Sequence, residues 1–284
     1  MRAGVCYAFR SRARPRTSRG DSDVGRWSVI SIVMATYNRA DTLPRAIDSV
    51  LEQTHRDWEL IIVDDGSTDA SAEVLAGYDD PRILVYKHPH NRGVTAAKNT
   101  GLGHIRGEWF STFDSDDEWV PDALEAMLAC ADETGATAVN ANCVDSVTGE
   151  WTGYGPTTDC WLPVTGGVRR SGQFCGIVKT ELLGDLRFDE RLPGYEGTVW
   201  LKISLRARRY YLHRALCVYH TEGADRVTKR LTSGDLREKV RIFSALGEDG
   251  AYLRAVRLTD PATYRRSMLR IRLARLLHPF VGRP

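Results

Sequence analysis

The sequence lacks both a long apolar run and any paired cysteine motif. Its longest apolar stretch near the start, residues 29–35 interrupted by Ser31, is far shorter than the roughly 20 residues that a membrane-spanning helix needs. Its 6 cysteines are scattered without a Cys-x-x-Cys pair, which argues against a zinc knuckle or a redox dithiol. We therefore expect reduced thiols and no segment that crosses a bilayer.

The start of the chain also lacks the apolar segment of a secretory signal. Residues 1–26 are rich in arginine but contain no continuous apolar stretch, so they do not resemble a signal peptide. We interpret them as a disordered basic extension. The expected location is the cytoplasm, where the protein could associate with the inner face of the membrane.

Net charge is small, +2 over 284 residues, but it is unevenly distributed. Residues 1–26 carry a net +5, residues 27–225 a net −12 and residues 226–284 a net +9. An acidic body binds nucleic acid poorly, because affinity for phosphate depends on lysine and arginine. It suits a protein that concentrates carboxylates around a divalent cation. The charge pattern thus predicts no nucleic-acid partner.

Short β-branched runs alternate with helical patterns from residue 27 to about residue 142. The runs cover residues 29–35, 58–63, 82–86, 109–113 and 137–140. Strands that alternate with helices are typical of an α/β domain, a Rossmann-like, mostly parallel sheet flanked by helices. Ligands of such sheets bind beyond the carboxyl ends of the strands, so the residues that follow each run are the first candidates for a site.

The pattern changes after residue 142. Residues 151–172 are rich in glycine, proline, threonine and aromatic residues and predict an irregular loop. A strand at 174–178, a short helix from Thr180, a longer helix over 196–209 and a strand at 215–219 are predicted next. From Ser233 the pattern is helical, with apolar residues and arginines alternating over 268–277. We divide the chain into the extension 1–26, a main domain 27–225 and a helical C-terminal extension 226–284.

Three of the predicted strands end in polar segments. These are Thr36-Tyr37-Asn38-Arg39 after the first strand, Asp64-Asp65-Gly66-Ser67-Thr68-Asp69 after the second, and Asp114-Ser115-Asp116-Asp117 after the fourth. Each also fits an ordinary turn or helix cap, with Asp41 expected to cap the first helix and Ser67, Thr68 or Asp69 the second. Together they would direct polar groups from three strand ends into one crevice.

The third of these segments predicts a cation site. Asp114 and Asp116 are two residues apart, so on an extended segment their carboxylates point the same way. Hard oxygen ligands of this kind suit Mg²⁺ or Mn²⁺ holding a diphosphate. We therefore expect Mn²⁺ or Mg²⁺ as cofactor.

The motifs in this order resemble a family 2 glycosyltransferase with the GT-A fold. The resemblance is carried by Ser31-Ile32-Val33-Met34-Ala35-Thr36-Tyr37-Asn38-Arg39, by Ile62-Val63-Asp64-Asp65-Gly66-Ser67-Thr68-Asp69, by Asn91-Arg92-Gly93 with Ala97-Lys98-Asn99-Thr100-Gly101, and by Phe113-Asp114-Ser115-Asp116-Asp117 with Pro121. It covers about residues 28 to 220. It implies a GT-A catalytic domain over 27–225 that moves a hexosyl or N-acetylhexosaminyl group from a UDP- or dTDP-type donor.

The resemblance also implies roles for individual residues. Thr36 and Tyr37 would line the base pocket, with Arg39 in the same donor-binding segment, and Asp65 would hydrogen-bond the base. Asp116 would be the main metal ligand, with Asp114 near the ribose or sugar as a second ligand. Arg92 and Lys98 would add cationic contacts to the base or the diphosphate; the alternative for both is a solvated helix face.

Two further residues lie outside these motifs. The family places its catalytic base in a Glu-Asp pair before a helix. Counted back from Trp200, Glu196 stands at the aspartate of that pair, whereas aligning glutamate with glutamate leaves Gly197 where the aspartate would stand. We expect Glu196 to be the general base; alternatively it stabilises the N-terminus of its helix. His220, which follows the last strand, is expected near the metal or the diphosphate, although a lone histidine is more often structural.

These residues predict a single displacement with inversion, in which Glu196 deprotonates an acceptor hydroxyl. The processive polysaccharide synthases of the family carry a Gln-x-x-Arg-Trp sequence. This chain has none, so transfer is expected to be non-processive. The alternatives are a nucleotidyltransferase, which would need a glycine-rich loop after the first strand, and a donor-binding protein without catalysis. The acceptor stays open among saccharides, lipid-linked molecules and small molecules, while the basic C-terminal helix predicts peripheral membrane contact.

Overall fold

The computed structural model describes residues 29–163, 172–192, 194–221 and 236–281, with side chains as far as residue 278. The predicted extension 1–26 and the predicted helix start at Ser233 lie outside these residues. So does part of the predicted irregular loop, residues 164–171. Everything structural below concerns the described residues.

The first half of the sheet is parallel, as predicted. Its strands lie in the order β3-β2-β1-β4, and α1, α2 and α3 connect them. The elements are β1 Ile30–Thr36, α1 Leu43–Leu51, β2 Trp58–Asp64, α2 Ser71–Ala76, β3 Ile83–Lys87, α3 Val94–Leu102 and β4 Trp109–Asp114. All residues of β2 are buried because helices cover both faces of the sheet, which explains its nearly continuous apolar sequence.

The second half of the sheet is mixed. Its elements are β5 Glu118–Trp119, α4 Ala123–Thr134, β6 Ala138–Asp145, β7 Cys160–Leu162, β8 Phe174–Lys179, α5 Gly197–Ser204 and β9 Arg209–Tyr219. Strand β8 pairs antiparallel with both β4 and β6, whereas β6 and β9 are parallel. Strands β5 and β7 each pair antiparallel with β9, which gives nine strands in one sheet within the described chain.

Alternating residues of the strands form a core on each face of the sheet. Ile32 and Met34 of β1 pack with α1 and α4 on one face, whereas Val33 packs with α3 and α5 on the other. Helix α3 lies very close to β1, since a Cβ at Gly101 would be 2.5 Å from Val33 Cγ1. This close packing fixes the helix that carries the predicted site residue Lys98.

Two local predictions are wrong. Helix α5 ends at Ser204, and β9 begins at Arg209 rather than at residue 215, because its first residues pair with β6 and β7. Sheet pairing over a long sequence separation overrides the local helical pattern there. Asp41 does not occupy the N-cap of α1; Thr42 does, and its hydroxyl donates to the carbonyl of Ser115 at 2.9 Å.

Within residues 236–281, the described part of the C-terminal region, the structure has three helices, in agreement with the predicted helical pattern. They are α6 Leu236–Glu248, α7 Gly250–Thr259 and α8 Pro261–Val281. Leu192 and Leu246 belong to a small core between α6 and the main domain, and Lys202 of α5 pairs with Asp249. In the part of the chain that is described, no helix has the length and apolarity required to span a bilayer.

Candidate active site

The three polar segments meet at one edge of the sheet. Thr36 lies directly beside Asp64 in the parallel register of β1 and β2, and Ala35 lies beside Asp114 in that of β1 and β4. Because these strands are parallel, their carboxyl ends open on the same side. The three polar segments therefore share one edge of the sheet, as the sequence predicted.

The turns after β1 and β2 are joined by hydrogen bonds. The backbone N–H of Asn38 donates to Ser67 Oγ at 2.9 Å, and Asn38 Oδ1 accepts the N–H of Thr68 at 2.8 Å. Gly66 has a φ of +76°, and a Cβ there would be 2.6 Å from the carbonyl carbon of His90. Only glycine fits this tight approach, which brings the β3–α3 connection against the turn.

Asp65 is buried and bound to the start of α3. Its Oδ1 accepts hydrogen bonds from His88 Nδ1 at 2.6 Å and from the N–H of Arg92 at 3.0 Å, and its Oδ2 accepts the N–H of Gly93 at 2.7 Å. A carboxylate oxygen can accept more than one hydrogen bond, so a base N–H remains compatible with this arrangement. The structure adds a second function, because Asp65 also positions α3.

Several buried polar atoms beside Asp65 have no hydrogen-bond partner among the described residues. They are Thr36 Oγ1, Thr95 Oγ1 and Asp64 Oδ2, the last lying 3.6 Å from Lys87 Nζ. Buried polar groups without partners are rare in folded proteins and call for a ligand, a water or an ion. Tyr37, which follows Thr36, is exposed.

The segment after β4 concentrates negative charge. The Asp114 side chain is 54% exposed, whereas Asp117 is buried and its Oδ1 accepts the N–H of His220 at 3.2 Å. Burial, together with the nearby Asp114 and Asp116, raises the pKa of Asp117 to about 8. Asp114 and Asp116 thus lie near a third carboxyl group, that of Asp117, whose raised pKa means that a further negative charge is unfavourable there. A bound cation would neutralise the charge of this region.

Among the described residues, the three predicted metal ligands Asp114, Asp116 and His220 do not form a preassembled cluster, and the role of His220 stays a prediction. His220 Nε2 lies 3.4 Å from Glu118 Oε2, and within the described ranges no three His, Cys, Asp or Glu side chains are grouped closely enough to hold a metal. Mg²⁺ and Mn²⁺ commonly bind one or two carboxylates plus phosphate oxygens and water. The carboxylates of Asp114 and Asp116 fit that requirement without a third protein ligand.

The ammonium group of Lys98 contacts both Asp114 and Glu196. Its Nζ lies 3.1 Å from Asp114 Oδ1 and 3.7 Å from Glu196 Oε1. Burial lowers the pKa of Lys98, but the two carboxylates outweigh that effect and raise it, so the ammonium stays charged. The side chain is only 9% exposed, which rules out the solvated helix face for this residue.

Glu196 occupies the N-cap of α5, but in the described residues its side chain makes no capping hydrogen bond. A carboxylate at this position also interacts favourably with the helix dipole, so both roles predicted for Glu196 stay predictions. Arg92 remains open between its alternatives, because its partly exposed guanidinium lies 3.3 Å from Glu190 Oε2. Arg39 is held through its backbone N–H, which donates to Ser71 Oγ at 2.9 Å.

Two residues of the crevice escaped the sequence analysis. His88 bridges Asp65 and Thr100, with its Nε2 2.9 Å from Thr100 Oγ1. It directly follows β3, so the rule that strand ends carry site residues could have identified it. Glu190 gave no such signal, because its contacts with Arg92 and Asn99 join positions about 90 residues apart.

The family of this chain follows from its match to a protein-family model. The family model described as "Glycosyl transferase family 2" matches residues 31–178. The chain belongs to glycosyl transferase family 2. The matched residues include every predicted donor and metal position except His220, and Glu196 also lies beyond them. The predicted family and enzyme class, a glycosyltransferase, are confirmed.

Individual relatives of this glycosyltransferase cover different shares of it. A Campylobacter jejuni protein, "GalNAc(5)-diNAcBac-PP-undecaprenol beta-1,3-glucosyltransferase", is 31% identical over 208 residues, covering 70% of this chain and 67% of its own. The Escherichia coli protein WfgD, a "UDP-Glc:alpha-D-GlcNAc-diphosphoundecaprenol beta-1,3-glucosyltransferase", is 35% identical over 101 residues, covering 36% of this chain and 40% of its own. The chain thus spans less than half of some relatives that it matches.

A solved structure supports the fold of this glycosyltransferase. S. aureus TarS residues 1–349 in complex with UDP-GlcNAc superposes with a TM-score of 0.66 at 18% identity, covering 88% of this chain and 72% of that one. At that identity the likeness concerns the fold alone. The predicted GT-A fold, an α/β sheet flanked by helices with C-terminal helices attached, is confirmed.

Proposed function

We propose that this glycosyltransferase moves a sugar from a UDP-type donor to an acceptor hydroxyl by single displacement with inversion. The proposal is carried by one observation: Asp114 and Glu196 contact the same buried ammonium at the edge of the sheet. A donor-binding carboxylate and a candidate base therefore lie within reach of one bond-forming centre. Such proximity is a large part of enzymatic rate enhancement.

The donor nucleotide would occupy the pocket after β1 and β2. Thr36 and Tyr37 would line the base, and Asp65 would accept a hydrogen bond from a base N–H. The unpartnered oxygens of Thr36 and Thr95 support this position, because a ligand would supply the hydrogen bonds they lack. Names of relatives that include UDP-Glc and UDP-GlcNAc favour uracil over thymine as the base.

Asp116 and Asp114 would hold Mn²⁺ or Mg²⁺ together with the donor diphosphate. When bound, the cation would stabilise the negative charge that develops on the leaving diphosphate. Glu196 would accept the proton of the acceptor hydroxyl at its carboxylate, a contribution of roughly 10²- to 10⁴-fold in rate. The buried surroundings of Lys98 would keep water away from the space between these groups.

The test is donor turnover with a panel of nucleotide sugars in the presence of Mn²⁺. Asp116→Asn and Glu196→Gln should each lower kcat at least about 100-fold, and a chelator should do the same to the wild type. Asp132→Asn, an exposed carboxylate of α4, is the matched control. Full turnover in Asp116→Asn, or in chelator, would contradict the scheme.

A donor-binding protein without catalysis is the second candidate, because Gly197 stands where the family has an aspartate. Calorimetry separates the two functions. Heat of UDP binding in the presence of Mn²⁺, combined with undetectable turnover of every donor, would favour this candidate. The nucleotidyltransferase alternative has no glycine-rich loop after β1 to support it.

The acceptor that we propose is a saccharide attached to a lipid diphosphate. Two relatives carry names that include undecaprenol-linked substrates, and one of them aligns with 70% of this chain. A lipid-linked acceptor resides in a membrane, so the enzyme would work at the membrane surface. The exposed aromatic side chains of Trp151 and Tyr154 are candidates for stacking against the saccharide.

One face of α8 suits the proposed membrane contact. Leu269, Leu273 and Leu276 share a face at helical spacing, and they are 61%, 49% and 69% exposed. The helix contains no aspartate or glutamate. It carries five arginines, Arg265, Arg266, Arg270, Arg272 and Arg275. Exposed leucines flanked by arginines are typical of helices that lie in an anionic membrane surface.

A further inference from the structure

Lys98 lies where three elements of the site meet. It belongs to α3, and its ammonium reaches Asp114 at the end of β4 and Glu196 at the start of α5. The sequence predicted a contact with the donor, but the two protein carboxylates already satisfy this charge. Its function therefore needs an explanation that does not require the donor.

The charges around Lys98 are unequal. A buried ammonium is stable only where carboxylates pair with it. Here two carboxylates face one ammonium, which leaves one negative charge in excess and reduces the repulsion between Asp114 and Glu196. Lys98 thus sets how closely the two carboxylates can approach each other.

Helix α3 is anchored by hydrogen bonds at two places, which fixes the position of Lys98. Asp65 binds the N–H groups of Arg92 and Gly93, which directly precede the helix, and Asn99, next to Lys98, holds the backbone of Phe188 through two hydrogen bonds. Asn99 Nδ2 donates to the Phe188 carbonyl at 2.9 Å, and Asn99 Oδ1 accepts the Phe188 N–H at 2.8 Å. Consecutive residues of α3 therefore fix both Glu196 and the segment that leads to α5.

We propose that Lys98 is a positioning residue that acts through Glu196. Its ammonium holds the Glu196 carboxylate beside Asp114, in the orientation needed to meet an acceptor, and it makes no contact with the donor. This inference rests on the proposed function, in which Glu196 accepts the acceptor proton. Removing the ammonium should therefore lower kcat and leave the donor KM nearly unchanged.

The experiment is a double-mutant cycle between Lys98→Met and Glu196→Gln, with donor hydrolysis as the assay. Lys98→Met should lower kcat about 10- to 100-fold with a change in donor KM below about 3-fold, and Lys98→Arg should restore much of kcat. In the Glu196→Gln background the same replacement should cost less than about 3-fold, because its target is already lost. Lys239→Met, an exposed lysine of α6, is the control.

The outcomes separate this inference from the proposed function. An equal loss in both backgrounds would show that Lys98 is merely structural, and a loss confined to KM would show a direct donor contact; either result overturns the inference. The thermal midpoints of the same variants should also be non-additive, a readout that needs no activity. Non-additive midpoints without turnover in the wild type would refute the proposed function, and the catalytic part of this inference with it.

Discussion

At the residue scale, the end of the sheet opposite the crevice depends on one buried carboxylate. Glu59 Oε1 accepts the hydroxyl of Ser31 at 2.6 Å and the N–H of Arg106 at 2.7 Å, and its Oε2 accepts Arg106 Nη2 at 2.7 Å. Burial alone would raise the pKa of Glu59, but the hydrogen bonds from Ser31 and Arg106 outweigh it and lower the pKa. The ionised form is therefore the one that the fold stabilises.

This carboxylate predicts how stability changes with pH. Because the folded pKa is below the unfolded value, its contribution is complete above about pH 4.5 and is lost as the pH falls through the folded pKa. Glu59→Gln should lower the free energy of unfolding by about 1–3 kcal/mol at pH 7. Urea titrations between pH 3 and 7 should show a shallower pH dependence for this variant than for the wild type.

The control for that prediction is Glu52→Gln, at an exposed glutamate just after α1. It should leave both the free energy of unfolding and its pH dependence nearly unchanged, within about 0.5 kcal/mol. If Glu59→Gln behaved like the control, the hydrogen bonds of Ser31 and Arg106 would contribute nothing net, and the explanation of the lowered pKa would fail.

At the element scale, a single buried amide joins α1 to α4. Gln53 is fully buried; its Nε2 donates to the carbonyls of Ser49 at 2.9 Å and Val120 at 2.8 Å, and its Oε1 accepts the N–H of Leu124 at 3.0 Å. These bonds connect the end of α1 with the first turn of α4 across the strand β5. The amide thus supports the segment that follows the acidic end of β4.

Replacing this amide should be costly. Gln53→Leu keeps a similar volume but leaves the buried Leu124 N–H without its partner and removes one of the two hydrogen bonds to the Val120 carbonyl, which keeps that of the Ala123 N–H. We therefore expect a loss of about 1–3 kcal/mol in the free energy of unfolding. Urea denaturation measures it, with Glu52→Ala on the adjacent exposed position as the control. A loss below about 0.5 kcal/mol would mean that water or a local shift satisfies the freed backbone groups.

How far the sequence predicts these elements depends on the range of the interactions. Strands β1, β2 and β4 and their polar ends were predictable, because apolar runs followed by turn residues are local signals. The boundary between α5 and β9 was not, since pairing with β6 decides it. The burial of Lys98 could not be predicted for the same reason: its partner Glu196 is 98 positions away, and no local pattern distinguishes a buried lysine from a solvated one.

At the scale of the whole molecule, charge is separated along the chain. Residues 27–225 carry a net −12 and residues 226–284 a net +9, and α7 of the described C-terminal helices packs against α5. An anionic membrane would repel the acidic domain and attract the basic helices. Each arginine near such a surface contributes about 1 kcal/mol, and salt screens that attraction. At the proposed membrane surface, the charge separation would therefore favour one orientation of the enzyme.

Vesicle binding tests this orientation directly. The wild type should sediment with vesicles of phosphatidylcholine and phosphatidylglycerol, weakly with phosphatidylcholine alone, and less as salt increases. Replacing Leu269, Leu273 and Leu276 by serine should weaken binding at least about tenfold, because each leucine removes apolar surface from water on insertion. Val147→Ser, at an exposed valine of the main domain, should bind normally.

Equal sedimentation of the triple-serine variant and the wild type would mean that another surface meets the membrane. Equal sedimentation with both vesicle types would instead mean that the arginines of α8 have no part in it.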